Sequence, residues 1–280
     1  MEITADIVKK LRDATNAGMM DCKKALVEAK GDFAKAEKIL KEMGLAAVAK
    51  RAGRATNNGR AFTLIQDNKA VILEMACETD FVARNKDFIA LGGELCQDII
   101  SHGYTEIVPE LEAKVLNLIT MIKENMSLKR FKLFTIDELS MMSEYVHGEG
   151  SLAVLVTLKS DKAEALKLPA VQEFAFDCAM HVAAFSPLYL SQDQVDAAYV
   201  EEQTEIFTNQ TLALGKPAKV VPNIVQGKLA KHFSEICFLQ QPFVKDDSQS
   251  VEKVLANLSK EVGAKLTISD YTYYRVGSEE

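Results

Sequence analysis

No run in this 280-residue chain is apolar for long enough to cross a membrane. The longest clean apolar stretches reach about seven residues, where a bilayer needs ~20. The first residues carry acids early, lack a basic segment followed by an apolar one, and are not rich in arginine or serine. Neither a secretory signal nor a transit peptide is therefore expected. Cysteine is sparse: five in all (Cys22, Cys77, Cys96, Cys178, Cys237), an odd number with no C-x-x-C spacing. That predicts free thiols in a reducing compartment, and a cytoplasmic protein is the simplest reading. Positive charge is also short, with 33 Lys and Arg against 40 Asp and Glu and a net charge of −7. A surface that repels phosphate on average argues against nucleic acid as the main ligand. The basic run at 50–54 reads as a solvated face or linker.

The motifs of common chemistries are missing as well. There is no G-x-x-x-x-G-K-[ST], and no G-x-G-x-x-G or G-x-S-x-G after a strand. Gly148-Glu149-Gly150-Ser151 precedes a strand, the wrong order for a phosphate cradle, and reads as a turn. Cys178 and His181 stand at i, i+3 on one predicted helix, but no second Cys/His pair completes four ligands. A buried thiol and a hydrogen-bonded core histidine account for them better. The four histidines are scattered, and no nucleophile–base pair follows from their spacing. No metal, no cofactor and no enzymatic reaction are expected.

What is present is a globular composition, 48% apolar and 26% charged, long enough for one large domain or two to three small ones. Residues 1–46 read as three short helices (4–14, 20–29 and from 33), broken at Asn16-Ala17-Gly18 and at Gly31, with Asp32 as an N-cap. So small a unit buries little core, and its shape is that of helical binding modules. An Ala-rich, basic stretch from Gly44, with the linker at 47–59, reads as a helical linker that ends in a hinge where Asn57-Asn58-Gly59 turns the chain. Strands are predicted at 60–66 and 70–76 around a hairpin turn. Helices follow at 85–101 and 110–124, a strand at 152–158 and a helix at 170–184. Two amphipathic helices, 193–214 and 221–233, flank Gly215-Lys216-Pro217 and predict an antiparallel helical hairpin, either packed on the body or protruding. A short strand at 235–239, a helix at 251–262 and a strong strand at 265–276 complete an α+β chain with small antiparallel sheets.

The chain is organised around Glu74–Arg84. An apolar strand stops at Glu78-Thr79-Asp80, and Phe81-Val82 follow at the mouth of a helix. Such a strand end can project a rigid aromatic toward a partner. The residues alone leave two readings open, because Thr79 or Asp80 could simply cap the helix and Phe81 could be a core staple.

The run Leu11-Arg12-Asp13-Ala14-Thr15-Asn16-Ala17-Gly18-Met19-Met20-Asp21-Cys22-Lys23-Lys24-Ala25-Leu26 resembles the N-terminal signature of the bacterial elongation factor Ts family. Glu74–Arg84, centred on Thr79-Asp80-Phe81-Val82, resembles its second signature. Tyr145-Val146-His147-Gly148, Met180-His181-Val182-Ala183-Ala184, Gly215-Lys216-Pro217 and Gln241-Pro242-Phe243-Val244 follow in the family's order, so the resemblance runs from residue 1 to about 276. It implies a ubiquitin-associated-like module at 1–46, core subdomains at 60–140 and at 141–186 with 229–280, and a dimerisation arm at 187–228. It implies elongation factor Tu as the partner, with a possible homodimer through the arm, and no nucleic acid or membrane. The implied role is nucleotide exchange. Thr79, Asp80, Phe81, Val82 and His147 would form the tip that enters the GTPase near its magnesium and phosphate site. Arg12, Met19, Met20 and Lys23 would dock the N-terminal module, and Val244 and Lys245 the far side of the core. An adaptor that binds through its N-terminal module without changing its partner is the alternative.

Shifting a nucleotide from mostly bound to mostly free needs about 5 kcal/mol. One aromatic wedge supplies ~2–4 kcal/mol, so the flanking contacts must contribute the rest. The chain departs from the family at Asn16 and Ala76, and 162–176 looks a few residues longer than usual. Many members continue past the last strand into a helical module, a contact expected to be missing here.

Overall fold

The computed structural model describes residues 3–15 and 17–278. Asn16, part of the first expected helix break, lies outside them, as do Glu279 and Glu280. The chain forms two compact units, one of Met1–Phe134, Gly148–Leu152 and Tyr274–Glu280, the other of Thr135–His147 and Ala153–Tyr273. Helix and antiparallel sheet are mixed, the α+β class that the patterning predicts.

In the first unit, α1 (Ala5–Thr15), α2 (Met19–Glu28) and α3 (Phe33–Arg51) enclose Val8, Leu11, Cys22, Ala25, Leu26, Ala36 and Leu40. Helix α3 runs through Gly44 to Arg51, because the Ala-rich stretch beyond favours helix enough to carry one glycine. The turn expected at Asn57-Asn58-Gly59 is not there: Asn58 and Gly59 open strand β1 (Asn58–Gln66), opposite Cys77 and Ala76 of β2 (Lys69–Cys77). A Cβ on Gly59 would lie 2.1 Å from the Met75 carbonyl oxygen, so this glycine serves close backbone approach rather than a turn. The hairpin turn is Asp67-Asn68, with Asp67 at φ 53° between the paired Gln66 and Lys69.

Alternate residues of β2 (Val71, Leu73, Met75, Cys77) face one core, filled by α5 (Lys86–His102) and α6 (Pro109–Ile122) through Phe88, Leu91, Leu95, Leu111 and Val115. Strand β3 (Met126–Thr135) completes a sheet in the order β1-β2-β3, and β4 (Ser140–His147) follows. Neither was foreseen. Met126 and Leu128 alternate, but Phe131 and Leu133 pack on the same core in the opposite phase, which hides the period of two.

Gly92 of α5 sits beneath Phe62 of β1, where a Cβ would fall 2.2 Å from the ring. Gly93 has nothing within 4 Å. Gly92→Ala should destabilise the chain by about 1–3 kcal/mol through overpacking. Gly93→Ala should stabilise it by up to ~1 kcal/mol through helix propensity. Urea midpoints of the two variants, moving in opposite directions, check both.

In the second unit the sheet order is β4-β5-β8, with β5 (Leu152–Ser160) and β8 (Leu266–Arg275). Helix α7 (Pro169–Phe185) buries Val171, Phe174, Ala175, Cys178 and Val182. Helix α8 (Ala197–Ala213) lies along α9 (Val221–Ile236): the Tyr199 hydroxyl meets His232 Nε2 at 2.9 Å, and Lys228 donates to Gln210 at 3.3 Å. The strand expected at 235–239 is instead the end of α9 and a 3-10 turn (Phe238–Gln240), with a single bridge from Cys237 to Tyr189. A short apolar run does not separate a buried strand from a buried helix end. Strands β6 (Pro242–Phe243) and β7 (Asp246–Ser250), too short to register in the pattern, precede α10 (Val251–Val262).

Candidate partner-binding site

Strand β2 delivers the chain to Glu78-Thr79, and α4 (Asp80–Ala83) is a single helical turn. The Thr79 hydroxyl accepts from Val82 N at 3.3 Å and donates to the Glu124 carboxylate at 3.0 Å. The capping reading of Thr79 is therefore correct, and its cap is tied to the loop before β3. Glu78 accepts from Asn125 N at 2.6 Å and from Arg54 at 3.3 Å, while Asn58 Nδ2 donates to the Glu78 carbonyl at 2.9 Å. The Asn125 amide first, then the Arg54 guanidinium, hold the Glu78 carboxyl below its ordinary range. Val82 is buried, so its side chain roots the turn in the core and is not the surface contact that the sequence suggests.

Phe81 is a different case. It is 80% exposed on this braced turn, so it is not the core staple that the residues left open. An aromatic presented on a rigid turn is the kind of side chain that becomes a binding hot spot when a partner desolvates it. Asp80 beside it is exposed and pairs with Arg84 at 3.6 Å, which reaches Glu149 at 3.2 Å. Both pairs are solvated and each is worth under ~1 kcal/mol, so Asp80 can change partners at little cost. Asn58, Asp80, Arg84, Glu149 and Arg275 border an open cleft of about 410 Å³. Sequence reasoning missed Arg84, Glu124, Asn125 and Glu149. Only the i, i+4 spacing of Asp80 and Arg84 signalled any of them.

The other expected contact residues are spread over both units. Arg12 lies exposed on α1, and Met19, Met20 and Lys23 open α2, the methionines 45% and 64% exposed. Two neighbouring exposed methionines suit an adaptable contact surface. In the second unit His147 ends β4, exposed, with the Tyr145 hydroxyl 3.1 Å from its Nδ1. Val244 and Lys245 form the turn between β6 and β7.

Nothing at these positions resembles a nucleophile. Burial first, then the Glu124 carboxylate, push the Cys77 thiol up to about 11. Burial also raises Cys178 and Cys237. Thiols held protonated do not attack.

His181 is fully buried on α7, as the core reading expects. Val244 N donates to its Nδ1 at 3.2 Å, so Nε2 carries the proton and donates to Gln241 Oε1 at 2.9 Å. Burial lowers the His181 pKa below 6.5, against the pull of the Gln241 bond. Just below 6.5 the unfolded chain binds this proton and the folded chain does not, so stability rises with pH across that window. The contribution is present above 6.5 and is lost progressively as pH falls to the folded value. Urea midpoints should accordingly drop more steeply between about pH 7 and pH 5.5 in the native chain than in His181→Asn.

A model of the family described as Elongation factor TS matches residues 78–278. The chain is 49% identical over 277 residues to a protein of Treponema denticola named Elongation factor Ts, covering 99% of each. Proteins of the same name from Treponema pallidum and Borrelia recurrentis are 43% and 42% identical, with 99% of this chain covered and 99% and 100% of theirs.

Proposed function

The chain belongs to the elongation factor Ts family, and from that membership we propose that it binds elongation factor Tu carrying GDP and promotes release of the GDP, so that GTP can bind in its place. The observation that carries the mechanism is Phe81, 80% exposed on a turn braced by Glu78, Thr79 and the buried Val82. GDP in a GTPase is held by its phosphates and magnesium in a cradle of backbone N–H groups. Phe81 wedges that cradle open, and desolvating the ring on entry supplies binding energy that the free chain does not have. Asp80, released from Arg84, brings a carboxylate that competes with the phosphates for the magnesium and its hydrogen bonds. No covalent bond is made or broken. The exchanger binds the nucleotide-free state more tightly, and by linkage nucleotide weakens its binding by the same factor.

The tip needs help, since the shift costs about 5 kcal/mol and one aromatic gives ~2–4. The three-helix module, similar to a ubiquitin-associated domain, grips the GTPase through Arg12, Met19, Met20 and Lys23. His147 is a further contact with the partner, Val244 and Lys245 meet a second domain of it, and α8–α9 is the arm through which two copies pair. The site of action is the cytoplasm. The test is release of fluorescent GDP from elongation factor Tu, with acceleration by this chain expected. Stable binding with unaltered release would favour the adaptor reading instead.

A further inference from the structure

The turn at Val244-Lys245 is unusual for what it is made of. Phe243 pairs with Asp246, so only these two residues connect β6 to β7. Two-residue hairpins normally use primed turns, which need positive φ and hence Gly, Asn or Asp. Asp67 does this in the β1–β2 hairpin. Neither Val244 nor Lys245 has a positive φ, and a β-branched valine resists one. This turn thus lacks the positive-φ residue that shapes the other. The pairing is irregular at Pro242/Phe243, and Asp246, which accepts from Ser248 N at 3.1 Å and Gln249 Nε2 at 2.6 Å, braces the strand after the turn rather than Val244 or Lys245.

Helix α7 supplies two outside supports, one helical turn apart. Asp177, buried, takes Lys245 Nζ at 3.2 Å. His181, fully buried, accepts the Val244 N–H at 3.2 Å. The imidazole is itself fixed: Nε2 donates to Gln241, whose amide donates to the Glu235 carbonyl at 2.9 Å, and Phe185 and Phe238 lie 4.7 and 5.2 Å from the ring. Spacing at i, i+4 places both side chains over consecutive residues of the turn.

We propose that Asp177 and His181 are positioning residues that clamp the Val244-Lys245 turn in the conformation which docks on the GTPase, so that the second contact surface is preformed. This rests on the exchange-factor reading. Preformation lowers the ordering cost of binding and leaves the exchange step at the tip untouched.

Two measurements test it. The first is hydrogen exchange of the free chain, with His181→Phe, which removes both ring hydrogen bonds, Asp177→Asn, which removes the charge, and His181→Asn, which keeps an acceptor near the Nδ1 position. Exchange should quicken within 242–250 in the first two variants and stay near native in the third. The second is GDP release against exchanger concentration. Half-saturation should rise about tenfold in His181→Phe and Asp177→Asn, with the maximal rate unchanged and His181→Asn close to native. Unchanged half-saturation, a fallen maximal rate, or exchange quickened throughout α7 would overturn the clamp. If the native chain does not accelerate release at all, the exchange-factor reading falls and the docking role with it. The hydrogen-exchange pattern would still decide whether the two side chains hold the turn.

Discussion

Phe81→Ala should leave the chain as stable as before and slow GDP release from elongation factor Tu by roughly thirty-fold to nine-hundred-fold relative to the native exchanger. The two halves of this expectation come from one fact. With Phe81 80% exposed, the free chain gains almost nothing from the ring, and surface substitutions usually stay within about 0.5 kcal/mol. On the proposed mechanism the same ring loses its water on entering the partner and becomes the centre of the contact. The range in rate is ~2–4 kcal/mol converted at about 1.36 kcal/mol per tenfold. Stopped-flow release of labelled GDP and a urea titration, run side by side, separate the halves. Native exchange activity in the alanine variant would end the wedge mechanism. Lost activity together with lost stability would move Phe81 from the tip to the scaffold.

Arg130→Met should cost the first unit about 3–5 kcal/mol. Glu74 points from β2 to the side of the sheet opposite Val71, Leu73 and Met75, and its side chain has no exposure. Arg130 Nε donates to its Oε2 at 2.8 Å, and Gly277 N donates to Oε1 at 3.1 Å. The guanidinium also lies 4.3 Å over the Tyr274 ring and donates to Ser278 Oγ at 3.1 Å. Removing the arginine strands a buried carboxylate, with Lys129 3.9 Å away as a poorer partner. Removing both charges costs less than removing one, because the desolvation penalty disappears with them. Glu74→Leu combined with Arg130→Met should therefore recover much of the loss, which a double-mutant cycle in urea measures. Additive losses would mean that the pair is not coupled. Hydrogen exchange near Gly277 should rise in Arg130→Met, since this cluster holds Tyr274, Gly277 and Ser278 against β2.

The two carboxylates of this strand show how far reading the residues can go. Glu74 interrupts an apolar run, and Glu78 ends it. Alternation places Glu74 on one face of the strand, but nothing along the chain points to Arg130 or Gly277, which lie 56 and 203 residues away. Glu78 and Thr79 likewise find Asn125 and Glu124, across separations of 47 and 45 residues. The helical pattern of α5, α6 and α10 was legible because one face of each meets the core at a period of 3.6. Strand β3 was not, because its apolar residues change phase in the middle. Residues 235–239 read as strand because the short apolar run at 236–239 has no period that tells a strand from a helix end.

The α+β class, most of the helices, the β1–β2 hairpin, the expectation of free thiols and, through its ordered motifs, the family can all be read along the chain. These are local matters: period, capping, turn chemistry and short signatures are written over a few consecutive residues. The choice between a cap and a projecting side chain at Thr79-Asp80-Phe81 was made by the folded structure. It kept both, with Thr79 as the cap, Val82 as the anchor and Phe81 left in solvent. It also brought Asp177 to Lys245 and His181 to the Val244 amide, across more than sixty residues. Exposure and long-range hydrogen bonding depend on which distant segments arrive beside a residue, and that is settled by packing of the whole fold rather than by a residue's neighbours in the chain.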